Sequence, residues 1–110
     1  DKALEFFRKS LSMSIERDQR RFIFFSLSGI ATVLVDRGEP ETAAQLFAFA
    51  EKFSQFHNYR LDPVDKWEVE QSLKKLENEL DETGLEECRK LGKNISLEEA
   101  ILIAKGGHEN

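Results

Sequence analysis

The chain has little with which to cross-link, coordinate a metal or cross a membrane. Cys88 is the single cysteine among 110 residues, so no disulfide can close within the chain, and a reducing, cytoplasmic setting is expected. The two histidines, His57 and His108, are far apart, with no cysteine or carboxylate at metal-ligand spacing, so no metal site is expected. No apolar run is long enough to span a bilayer, and no signal-peptide pattern opens the sequence. Basic residues are outnumbered, 16 against 21 acidic, for a net charge of −5. That balance argues against a nucleic-acid surface, which needs a basic stripe. The one dense basic patch, Arg17, Arg20 and Arg21, reads as a solvated helix start or as a partner of nearby acids. An initiator methionine is also missing, and the pattern is already under way at Asp1-Lys2-Ala3-Leu4. An excised carboxy-terminal piece of a longer protein is therefore expected.

What is abundant is phenylalanine and helical spacing. Eight of nine phenylalanines fall before residue 54, which concentrates aromatic packing in the first half. Ala3, Leu4, Phe7, Leu11 and Ile15 predict a first helix over residues 2–17. Asp18 is then read as the N-cap of a second helix reaching Arg37. That helix carries two apolar stripes, Ile23-Leu27-Ile30-Ala31-Leu34 and Phe22-Phe25-Gly29-Val33, so it should be buried between neighbours. Gly29 in its middle marks a close approach by another helix, because glycine there otherwise costs about 1 kcal/mol. Gly38 and Pro40 stop that helix and start a third, to about Phe56, and the short turn makes the two antiparallel. Asp62-Pro63 starts a fourth helix with the stripe Val69, Leu73, Leu76 and Leu80, and Thr83-Gly84 is expected to break it. A short helix from Leu85 to Leu91 should stop at Gly92. Ser96-Leu97-Glu98-Glu99 is a capping box opening a last helix to about Lys105, stapled by Ile95. The domain is thus 1–105, with residues 106–110 a frayed tail. The expected core is Phe7, Leu11, Leu27, Ile30, Ala31, Leu34, Ala43, Phe47, Ala50, Leu73, Leu76 and Ile101.

An internal repeat runs through this pattern. Ala3 and Ala43, Phe7 and Phe47, and Ser10 and Ala50 each stand 40 residues apart. The segment from Phe24 to Phe56 resembles a tetratricopeptide repeat. Ala31 meets its small residue, Gly38 its turn glycine, and Ala43, Phe47 and Ala50 its second-helix mask. Leu27 stands where the family has tryptophan, the closing proline is absent, and the period exceeds the usual figure of about 34. The longer period, with Ala3–Leu11, Gly38–Leu46 and Gly92–Ile101, resembles the carboxy-terminal tails of large bacterial regulators: signal-transduction ATPases, LuxR-type transcription factors and adenylate cyclases. The resemblance implies an all-α fold, a TPR-like antiparallel helical-hairpin stack (an α-solenoid fragment) with C-terminal capping helices. It implies a non-enzymatic protein-interaction or regulatory module in signal transduction, with no cofactor and no catalytic residue.

Candidate contact residues follow from that reading. The first helix of such a hairpin lines the concave face, which would carry Phe25, Ser28, Thr32 and Val35 toward a protein partner or a neighbouring domain, unless the C-terminal helices fold back over it. Trp67, off the main stripe of its helix, is either an exposed partner anchor or packs on Leu61 or Tyr59. Leu4, Phe7 and Leu11 would leave an apolar patch able to pair two copies, so a homodimer is the alternative, and a small-effector sensor a further one. Cys88 is read as a small core residue. Asn94-Ile95-Ser96 matches a glycosylation sequon, but the helix cap accounts for Ser96.

Overall fold

The computed structural model describes residues 1–106. Those residues form six α-helices and no strand: α1 (Lys2–Glu16), α2 (Arg20–Asp36), α3 (Pro40–His57), α4 (Pro63–Glu79), α5 (Glu82–Asn94) and α6 (Leu97–Ala104). The expected residues 107–110 of the frayed tail lie outside the described residues.

The first three helices end in one recurring turn. Asp18, Gly38 and Asn58 have positive φ, at 52°, 78° and 59°. At each, the next residue's N–H returns to a carbonyl five positions back: Gln19 to Ser14, Glu39 to Leu34 and Tyr59 to Ser54. This is the long bond of a Schellman turn, which satisfies carbonyls the helix end leaves free. The three left-handed residues stand 20 positions apart, half the 40-residue spacing seen in the sequence. Asp18 is accordingly not the N-cap of α2. It closes α1, and Gln19 precedes α2 without a side-chain cap.

Two further boundaries differ from expectation. Thr83 and Gly84 do not break a helix; they form the first turn of α5, where the Asp81 carboxylate accepts the Gly84 N–H at 2.6 Å. The N-cap preference of aspartate outweighs the helix-breaking tendency of glycine here. Gly92 does not stop a helix either. It is buried inside α5, where a Cβ would strike the Gln45 carbonyl oxygen and stand 2.8 Å from the Ala48 Cβ. A missing side chain at residue 92 is what lets α5 settle on α3, the most extensive helix pairing in the chain.

Other expectations hold. Gly29 faces the ring of Phe7, whose Cζ would be 2.7 Å from an added Cβ. Asp62 caps α4 through the Asp65 N–H at 2.9 Å, with Pro63 in the first turn. Both bonds of the Ser96–Glu99 capping box are present. Leu11, Leu27, Ile30, Ala31, Leu34, Ala43, Phe47, Ala50 and Leu76 are buried; Phe7, Leu73 and Ile101 are half-buried against them. Leu91, on α5 with the buried Leu85 and Cys88, is exposed.

The C-terminal half folds back. α4 lies mainly on α2, while α6 touches α3 and α2. Cations from the first half reach the ends of the last helices: Arg8 Nε donates to the Ala104 carbonyl at 2.9 Å, and Lys52 Nζ to that of Lys93 at 2.5 Å. Positive charge at a helix C-terminus is favourable. Lys75 ties α4 to Asp36 of α2 at 3.0 Å. The principal extents are 38 × 33 × 27 Å.

The patch expected to pair two copies is not on the surface. Leu4 and Leu11 are 2% and 0% exposed and Phe7 is half-buried, because α2 takes that face of α1. The large apolar side chains that α1 does expose are Phe6 and Met13.

Candidate functional site

The face of α2 that was expected to meet a partner is largely taken by the chain itself. Ser28 and Val35 are buried, and Phe25 and Thr32 are half-buried. α4 and the residue 58–62 link lie over this face, as the fold-back alternative required. Their cover is incomplete. It leaves two adjoining cavities of about 690 and 420 Å³, which share Ser28, Leu61 and Val69.

The larger cavity is apolar at its base. Phe24 and Phe47 come from α2 and α3, Leu61 from the link, and Val69 and Leu73 from α4. Tyr59 forms one wall, held by an aromatic ladder. It stacks on Phe24 at 6.1 Å between ring centroids and on His57 at 5.4 Å, while His57 lies 4.6 Å from Phe53. His57 is thus a packing residue at the end of α3. Arg60, Lys66, Arg89 and Lys93 surround the cavity, with Glu51 the single carboxylate among its lining residues.

The smaller cavity has the opposite character. Phe7, Phe25 and Val33 line it on one side and Asp62, Asp65 and Glu68 on the other. Burial raises the Asp65 carboxyl above its ordinary value, and the nearby Asp62 and then Glu68 add to the effect. Leu61 and Val69 therefore divide one crevice into a basic and an acidic compartment.

The remaining candidates sit apart from this crevice. Trp67 is 61% exposed, on the same outer side as Val64. Phe56, at the end of α3, is more exposed still, at 84%. Arg17, Arg20 and Arg21 are exposed at the α1–α2 turn, where Arg20 pairs with Asp18 at 3.8 Å. Cys88 is buried on α5; burial pushes its thiol up, and Glu41 and Glu87 push the same way. Such a thiol is a poor nucleophile at neutral pH. Among the described residues, no group of three or more His, Cys, Asp or Glu is placed to hold a metal, and no helix is long and apolar enough to cross a membrane.

Sequence reasoning singled out Ser28 but not the four cations or Tyr59. Arg89 and Lys93 do share a helix face at i, i+4 spacing, a signal present in the sequence. Their approach to Arg60 and Lys66 depends on α5 docking on α3, which no local pattern announces. Nothing among family models, curated proteins or solved structures matches this chain.

Proposed function

We propose that the chain is a non-enzymatic regulatory module, a TPR-like helical hairpin with its C-terminal cap. It would stand at the end of a bacterial signalling or transcriptional regulator and relay a binding event to output domains. The observation that carries the reading is the incompletely covered face of α2, where the fold leaves an open crevice instead of completing a core. The 20-residue recurrence of the Asp18, Gly38 and Asn58 turns supports a repeat origin. Exposed Phe56, Val64 and Trp67 offer large anchors for a protein partner or a neighbouring domain outside the crevice.

The test is the coding sequence upstream of Asp1. An ATPase, cyclase or DNA-binding domain followed by further hairpins of about 40 residues supports the reading. A reading frame that starts close to Asp1 overturns the regulatory-tail assignment, and substrate turnover by this chain overturns the non-enzymatic one. A second reading, a small-effector sensor, is favoured by one specific feature: the larger cavity has the volume of a ligand pocket, for which about 300–1,000 Å³ is usual.

A further inference from the structure

We propose that the larger cavity binds a small amphipathic anion, with an apolar chain or ring as its body and one oxyanion as its head. The proposal rests on the effector-sensor reading and names the ligand class for it.

Two observations converge. The base, built from Phe24, Phe47, Leu73 and their neighbours, is apolar and would take hydrocarbon out of water. The charge around the cavity then opposes that of the whole chain: four cations face one carboxylate in a protein of net charge −5. The ion pairs among the described residues are Arg20–Asp18, Arg37–Glu39 and Lys75–Asp36. None of them uses Arg60, Lys66, Arg89 or Lys93, so these cations hold no carboxylate among the described residues.

The acidic compartment sets the orientation. Beyond Leu61 and Val69 stand Asp62, Asp65 and Glu68, which repel an anion and confine its head to the basic side. A bound ligand would touch α2, α3, α4, α5 and the link together, so occupancy should tighten the fold-back.

The experiment is calorimetric titration of the 110-residue chain with octanoate and naphthalene-2-sulfonate, then with octanamide and octylammonium. The expected result is one site per chain for at least one of the two anions. Affinity should fall at least tenfold for octanamide and for the variant Arg60→Ala/Lys93→Ala, whose side chains are exposed and remote from the core. The variant Asp62→Asn/Glu68→Gln should retain or improve anion binding. Equal affinity for octanamide overturns the anionic class while leaving an effector site in place, as does a cavity that takes octylammonium alone. Absence of binding by all four probes overturns both the ligand class and the effector reading. Anion binding that survives Arg60→Ala/Lys93→Ala unchanged places the ligand elsewhere and overturns the site.

Discussion

Replacing Gly92 with alanine sets two physical effects against each other with opposite signs. In a helix interior alanine is favoured over glycine by about 1 kcal/mol, and less near a helix end. Gly92 is two residues from the end of α5, so the gain is a fraction of that. Against it stands a steric clash. The added methyl meets the carbonyl oxygen of Gln45 and the Cβ of Ala48, both in the middle of α3. Neither is the free end of a flexible side chain, so relief requires α5 to move away from α3. Overpacking of this kind costs about 1–3 kcal/mol. The net expectation is a loss of about 1–2 kcal/mol. For a domain of this size each kcal/mol moves Tm by about 4–8 °C, so Gly92→Ala should melt about 5–15 °C lower by far-ultraviolet circular dichroism. Leu91→Ala, at an exposed neighbour, should stay within about 0.5 kcal/mol and serves as control. A Gly92→Ala chain as stable as the parent, or more so, would falsify the close α3–α5 contact and leave helix propensity as the dominant effect.

Three further outcomes are expected. Asp18→Gly should stabilise the chain by about 0.5–1 kcal/mol, because aspartate is strained at φ 52° where Gly38 is at ease; chemical denaturation checks it, and a loss of stability refutes the recurring-turn argument. Phe47→Ala should cost about 3–5 kcal/mol in thermal melts, and a shift under about one degree would remove Phe47 from the core. Cys88 should react with a disulfide reagent at neutral pH only as fast as the chain opens. Since the folded thiol ionises at higher pH than the unfolded one, its contribution to stability is intact below the unfolded value of about 8.5 and lost as pH rises through the folded one. Rapid labelling of the native chain, or an alkaline decline unchanged by Cys88→Ala, contradicts this.

The helices and most of the core were legible in the sequence because their signals are local. Apolar spacing found Leu27, Ile30 and Leu34, and capping chemistry found Asp62 and Ser96. The misplaced features have a common cause. In the sequence, Asp18, Thr83-Gly84 and Gly92 each carry the usual signal of their residue type, N-cap or helix break. At Asp18 the helix before it needed a left-handed residue, and Gly84 was overridden by the Asp81 cap one turn ahead. At Gly92 tertiary contact decided: glycine is there because α3 comes too close for a side chain. The crevice was illegible for the same reason. Its cations come from the link, α4 and α5, and only packing brings them together.

The location of the crevice follows from the loss of the 20-residue beat. α1, α2 and α3 begin at residues 2, 20 and 40, and their closing turns fall at 18, 38 and 58. A fourth helix in phase would begin at about residue 60 and close at 78. Instead Asp62 and Pro63 restart the chain late, and Asn78, where the next left-handed turn would fall, remains helical within α4. The added link lets α4 cross to α2 instead of pairing with α3, and α5 takes the vacant side of α3 through Gly92. A helix arriving by that route covers α2 only in part. Leu61 and Val69 reach its surface, and space remains on either side of them. Shortening the link by deletion of Arg60 and Leu61 should therefore remove the cavity and the anion site together while α1–α3 keep their helical signal. Retained octanoate or naphthalenesulfonate binding by that deletion variant would show that the site does not depend on the displaced α4.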